Sequence, residues 1–282
     1  MASLICVPET TVELELAPLD PGSNPYLNGW RAPVRAESHS EGTFETIGAL
    51  PPGLEGRIIL LGPNPVRVED PDAYRPADGD AMVHFLEFRN GALRAMASRF
   101  VVTRHLVEQL GARAPEGPLR AAGPVGSHTL AHVARRLLCL DGLGLGYRIT
   151  PELRTACIED FDATLASPMG CSVVGDPRDL SARFLGVDPV GAPWLRIHHL
   201  DPSGVVSTRS LEMDSLLAEP ALGVTDSLSA IFESSLRSRP LRGEDDVVRP
   251  LRFDVDGPVH VGLLGHGQRG EEISWATSEP GH

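Results

Sequence analysis

Ten histidines and 38 carboxylates are spread over a 282-residue chain that has no lysine at all. Histidine and carboxylate are the side chains from which metal sites and proton-transfer sites are built, so their spacing decides what chemistry is open. His128 and His132 stand at i, i+4 and would share a face only on a helix, whereas the residues around them read as strand. His198 and His199 are adjacent on an expected strand and point to opposite faces, so they cannot chelate one ion together, and both read as ordinary surface or edge histidines. His260 and His266 flank a GLLG turn and would meet only if the strand folds back. His84, inside MVHFLEF, reads as a packed strand histidine and not as a ligand. No serine stands in a nucleophile elbow, and no glycine-rich loop has the spacing of a phosphate cradle. All 25 basic residues are arginine, which a GC-rich coding bias accounts for, and which excludes Schiff-base chemistry through lysine, covalent retinal and pyridoxal phosphate included.

The elements that must position these groups are short. With 29 Gly and 25 Pro spread along the whole length, turns are frequent, and an all-β array is favoured over a helical bundle. Strand-length apolar or alternating runs recur at 57–62, 82–88, 135–140, 182–187, 194–200, 204–211, 259–265 and 272–277, with turn chemistry at Asn90-Gly91, Asp201-Pro202-Ser203-Gly204 and Asp256-Gly257. Thr103 to Leu110 and Ser227 to Leu236 fit helix, and Arg239 to Pro250 a surface loop or linker. Residues 1–23 read as an N-terminal arm and 24–282 as a single β domain of antiparallel meander, the material of propeller blades.

A net charge of −13 argues against nucleic acid, whose binding needs clustered cations. Four cysteines (Cys6, Cys139, Cys157, Cys171) lack the paired spacing of a zinc ribbon or a disulfide framework. The N-terminus has no basic start and is broken at Pro8, and no apolar run approaches the roughly 20 residues that cross a bilayer. A reduced, cytoplasmic protein without a membrane span is expected, with membrane-surface association left open.

NPYLNGWRAPV (Asn24 to Val34), GALPPGLEGRIILLGPNP (Gly48 to Pro65), DGDAMVHFLEF (Asp78 to Phe88) and SRFVVT (Ser98 to Thr103) resemble, in order and spacing, the N-terminal part of the carotenoid cleavage oxygenases, the carotenoid oxygenase and retinal pigment epithelial membrane protein family. That family is built on a seven-bladed β-propeller and cleaves polyene double bonds with dioxygen at an iron held by four histidines. The resemblance implies an all-β, propeller-like array of antiparallel strands, shortened relative to the family fold, whose edges either dimerisation or rearrangement into a smaller closed barrel or propeller would cover. Ser127 to Leu140 matches the segment before a family glutamate that hydrogen-bonds a ligand histidine, a place that falls here on Asp141 or Gly142. Tyr147 and Leu153 to Thr155 match further positions.

Counting back from Asp176-Pro177 puts Ser172 where the first ligand histidine belongs, and MDSLLAE puts Met213 at the second, with Asp214 and Glu219 in register. EISWATSEPGH resembles the strand before the third ligand, and His282 falls short of that position. A hydroxyl is a poor Fe(II) ligand and a thioether a soft one. The resemblance therefore implies a degenerate metal site with no cofactor. Cys171, Ser172 and Met213 are then substrate-contacting residues, and Asp141, Asp214 and Glu219 the carboxyls for general-acid work, since burial beside Met213 and Cys171 would raise a carboxyl pKa. The expected function is binding of an elongated polyene, isoprenoid or polyketide-like molecule with cofactor-free isomerisation or cyclisation. The alternatives are Fe(II)/O2-dependent cleavage of a carotenoid-type double bond, with iron completed by other residues, and a non-catalytic binding pseudoenzyme.

Overall fold

The computed structural model describes residues 4–6, 9–75, 79–171, 173–175, 180–187, 195–211, 252–253, 259–267 and 270–278. The expected helix at Ser227 to Leu236, the linker at Arg239 to Pro250, the Asp256-Gly257 turn, Ser172, Met213, Asp214, Glu219 and His282 lie outside the described residues.

Strands run in chain order as β1 (Leu4–Cys6), β2 (Glu9–Glu15), β3 (Ala36–Glu41), β4 (Phe44–Thr46), β5 (Gly56–Pro63), β6 (Ala81–Arg89) and β7 (Ala92–Phe100), then the helix α1 (Arg104–Leu110). They continue as β8 (Thr129–Val133), β9 (Arg136–Leu140), β10 (Tyr147–Ile149), β11 (Thr155–Ile158), β12 (Val173–Gly175), β13 (Ala182–Val187), β14 (Leu195–Leu200) and β15 (Val206–Leu211), and end in β16 (Arg252–Phe253), β17 (Val259–Gly267) and β18 (Gly270–Ser278). The sheets are ordered β2-β3-β7-β6-β5, β11-β10-β9-β8, β12-β13-β14-β15 and β16-β17-β18, with a small β1-β4 pair, and every ladder between named strands is antiparallel. The fold is thus the antiparallel meander expected of propeller blades. Strand β2, within residues 1–23, forms the outer strand of the first sheet by pairing with β3.

Local sequence explains the joints. Asn90 and Gly91 take φ of 53° and 69°, the pair of positive values a two-residue type I′ hairpin needs between β6 and β7. Thr103 caps α1 by accepting the Leu106 N–H at 3.1 Å, and Gly111 closes the helix in the left-handed region. One expected turn is absent: the GLLG of Gly262 to Gly265 lies inside β17, paired throughout with β18. His260 and His266 therefore sit six residues apart on one continuous strand, about 20 Å from each other, and cannot share an ion.

One core spans three sheets. Val83, Phe85 and Ala97 come from the first, Leu138, Leu140 and Tyr147 from the second, and Ala182, Phe184, Leu200 and Val206 from the third. The sheets are stacked face on face, and Phe161, Leu165 and Met169, from the connection between the second and third, fill the space between them.

That connection opens with three consecutive left-handed residues, Phe161, Asp162 and Ala163, at φ of 52°, 58° and 64°. Each non-glycine residue there costs about 1–2 kcal/mol. The turn is held because Phe161 is fully buried under the Arg136 guanidinium, 4.9 Å from its ring centroid, and because Glu159 and Asp160 side chains accept the Phe161 and Ala163 N–H groups at 3.0 and 3.1 Å. Ala163 itself is exposed and contributes strain without packing. Ala163→Gly is expected to stabilise the protein by about 1 kcal/mol, read as a raised urea midpoint at unchanged m-value.

Candidate functional site

Asp141 follows the last residue of β9 and is 2% exposed. Its Oδ2 accepts the Val125 and Gly126 N–H groups at 2.9 and 3.0 Å, and its Oδ1 accepts the Leu143 N–H at 2.9 Å. Gly123 packs on the same carboxylate so closely that a β-carbon there would lie 2.1 Å from Oδ1. Tyr147, fully buried on β10, donates from its hydroxyl to the Gly123 carbonyl at 2.5 Å and accepts the Arg104 N–H at 2.7 Å. Burial above all, with the Asp141 charge adding to it, pushes the Tyr147 phenol well up, so it stays a donor.

Together the two side chains fix the segment 122–126. That segment in turn accepts the Ala81 N–H at Val125 and the His105 N–H at Pro124. Asp141 is thereby placed as a positioning group for the backbone that joins the first sheet and α1 to the second.

Cys171 is buried (4% exposed), and the described cysteines Cys139, Cys157 and Cys171 are free thiols. Burial pushes the Cys171 thiol up, the Asp141 charge raises it further, and a hydrogen bond with Thr129 opposes both. The structure thus brings Cys171 and Asp141 into one electrostatic neighbourhood, with the thiol protonated and fit to be an apolar wall, not a nucleophile. Ser172, Met213, Asp214 and Glu219 lie outside the described residues.

The histidines are engaged elsewhere. His84 shares a hydrogen bond with Ser98 at 2.7 Å, as a packed strand histidine would; burial lowers its pKa. His105 pairs with the buried Asp80 at 2.7 Å, and His39 with Glu41 at 3.2 Å. Thr129–Val133 is strand, so His132 lies on β8 and shares no helical face with His128. His198 departs from the surface reading: it is fully buried, stacked on Phe184 with ring centroids 4.8 Å apart. Its Nε2–H donates to the Pro168 carbonyl at 3.2 Å and its Nδ1 accepts the Thr208 hydroxyl at 2.9 Å. The signal for this was the period-two alternation that puts His198 on one face with Leu200, a face the neighbouring apolar Ile197 disguised. Among the described residues no group of three or more His, Cys, Asp or Glu side chains is placed to hold a metal ion.

A row of antiparallel sheets stacked on a shared core defines a β-propeller-type protein. The family profile for the retinal pigment epithelial membrane protein matches residues 31–281. A carotenoid cleavage oxygenase of Mycobacterium tuberculosis (strain CDC 1551 / Oshkosh) is 38% identical over 308 aligned positions, covering 91% of this chain and 60% of the relative. An apocarotenoid-15,15′-oxygenase of Synechocystis is 27% identical over 192 positions, covering 58% of this chain and 39% of the relative. The crystal structure of Pseudomonas brassicacearum lignostilbene dioxygenase superposes with a TM-score of 0.67 at 19% identity, covering 93% of this chain and 57% of that one. The chain belongs to the carotenoid cleavage oxygenase family, and spans about 60% of the length of the mycobacterial relative. An alignment of 308 positions is longer than the 282 residues available here, so internal segments of that relative have no counterpart in this chain.

Two stability measurements follow from this geometry. Asp141→Asn cannot accept on both sides of the group and leaves at least one of the three N–H bonds unmade, and Tyr147→Phe strips a partner from Arg104 and Gly123. Each is expected to cost about 1–3 kcal/mol in urea denaturation. Burial, reinforced by Arg196 and opposed by the Pro168 hydrogen bond, lowers His198 from 6.5 to about 4. Between those values the unfolded chain binds the proton and the folded chain does not. Stability should therefore rise with pH across that window by about 3 kcal/mol in total, and His198→Gln should remove that slope.

Proposed function

We propose that this chain binds an elongated apolar molecule of polyene, isoprenoid or polyketide type and isomerises or cyclises it without iron. The observation that carries the reading is the commitment of Asp141. The family resemblance puts a glutamate that supports a ligand imidazole at Asp141 or Gly142, and the shorter carboxylate of Asp141 accepts three backbone N–H groups. A serine at 172 and a methionine at 213 agree with it, since neither offers the imidazole an Fe(II) site of this kind requires. Side chains of these two types would leave a four-histidine iron centre short of two imidazoles.

The chemistry open to the remaining groups is proton transfer. A carboxyl of Asp214 or Glu219 protonates one polyene carbon, which breaks a π bond and leaves a delocalised cation. The former double bond rotates or is attacked by a neighbouring double bond, and the same carboxylate takes a proton back, so no oxidant is consumed. Cys171, Ser172 and Met213 wall the reacting segment and exclude water, and confinement of a flexible chain near its reactive conformation contributes several kcal/mol more. Asp141 acts as a positioning residue through the backbone it holds.

A second reading, Fe(II)/O2-dependent cleavage, is favoured by the name of the 38%-identical mycobacterial relative, a carotenoid cleavage oxygenase. It would need histidines other than positions 172 and 213. Untagged protein incubated anaerobically with Fe(II), desalted and assayed for metal separates the two, followed by chelator treatment and incubation with micellar β-carotene under chromatographic analysis. Little retained iron, altered isomer or ring composition after chelation, and a loss of about 10²–10⁴-fold in rate for Asp214→Asn or Glu219→Gln are expected. Near-stoichiometric iron with aldehyde cleavage products would establish the oxygenase instead, and bound but unchanged β-carotene a non-catalytic binder.

A further inference from the structure

Arg31 lies over two aromatic rings, its guanidinium carbon 5.1 Å from the Tyr26 centroid and 4.6 Å from that of Trp30. Among the described residues its guanidinium makes no ion pair or hydrogen bond, in a chain of net charge −13 where acidic partners are plentiful. Stacking occupies the faces of a guanidinium and leaves its in-plane N–H donors available, the arrangement that receives a carboxylate with two parallel bonds. Trp30 is 87% exposed, the most exposed large apolar side chain of the described residues.

Beside this pair is a cleft of about 350 Å³ lined by Tyr26, Arg31, Pro33, Pro63, Pro65 and Tyr74, the size of a small-molecule site. Two buried asparagines, each 6% exposed, fix its walls. Asn24 donates to the Pro71 and Tyr74 carbonyls at 2.7 and 2.9 Å and accepts the Tyr26 N–H at 2.8 Å, which ties the two tyrosine-bearing turns together. Asn64 accepts the Val34 N–H at 2.7 Å and donates to the Val34 carbonyl at 2.9 Å, which pins the chain after Pro33 between Pro63 and Pro65. The proline walls have no N–H to offer, so an anion entering the cleft finds its donors on Arg31.

We propose that this cleft binds a small carboxylic acid with an aromatic or otherwise apolar body, its carboxylate on the free edge of Arg31 and its body across the prolines and tyrosines. The site shares no residue with the proposed polyene site, and its test is independent of that reading. Calorimetric titration with 4-phenylbutyrate and with its neutral counterpart 4-phenylbutanol decides it. The acid should bind at least tenfold more tightly than the alcohol, and Arg31→Gln should reduce it to the level of the alcohol at unchanged melting temperature, with Arg31→Lys in between. Equal binding of acid and alcohol, no binding of the acid at millimolar concentration, or an Arg31→Gln variant that binds as tightly as the parent would overturn the proposal. So would Trp30-dependent attachment to phosphatidylglycerol vesicles without binding of the acid, which would assign the face to a lipid surface.

Discussion

The bond pattern on which the rest of the described structure depends is the grip of Asp141 and Tyr147 on the backbone of residues 122–126. Three hydrogen bonds reach that segment, from the Val125 and Gly126 N–H groups to the carboxylate and from the phenol to the Gly123 carbonyl, and the Leu143 and Arg104 N–H groups add two more to the same buried side chains, whose unmade bonds would cost desolvation. The gripped segment is not part of a strand. It runs between the turn leading into β10, where the Gly123 N–H donates to the Leu145 carbonyl, and the first sheet and helix, whose Ala81 and His105 N–H groups it receives. Sheets that stack by side chains alone can slide, because apolar contact is non-directional. A hydrogen-bonded segment between two of them sets one relative position.

A second, charged junction acts between the same two sheets. Glu87 on β6 is buried, which by itself would raise its pKa, yet the hydrogen bonds and charges of Arg57 and Arg89 more than offset burial and leave it lowered. Arg57 also donates to the Pro151 carbonyl at 2.5 Å, past the end of β10. One guanidinium thus fastens a buried carboxylate of the first sheet to the backbone of the second, the planar multi-donor task for which arginine suits better than lysine. The opposite face of the first sheet lacks such cover: Ile58, Leu60 and Met96, on the side away from Phe85 and Ala97, are 46%, 55% and 36% exposed. In a closed propeller every blade is packed on both faces.

Much of the fold was legible because it rests on local chemistry. Alternation marked β6, Asn90-Gly91 marked the turn that follows it, and Thr103 to Leu110 read as the helix that α1 is. What was not legible is what only tertiary packing decides. The glycines of GLLG look like a turn by composition, but pairing with β18 extends them as strand, since cross-strand hydrogen bonds outweigh the weak local preference. His198 follows Ile197 and precedes Leu200, so both faces of β14 look plausible, and burial against Phe184 and Pro168 chose the polar residue. Neither Asn24 nor Asn64 announced itself, because a buried asparagine's partners are backbone groups that no side-chain pattern encodes.

The candidate site and the scaffold respond differently to sequence change, and Asp141 shows why. The aspartate is one methylene shorter than a glutamate and is satisfied by the Val125, Gly126 and Leu143 N–H groups within its own turn and the adjoining segment. Its partners are therefore all backbone groups, and its part in the junction between the sheets depends on no other side chain. Buried polar groups persist where their partners are backbone, which every sequence supplies. Groups whose only partner is a ligand side chain become a desolvation cost once that ligand is replaced. Asp141 belongs to the first kind, since each of its three partners is a backbone N–H.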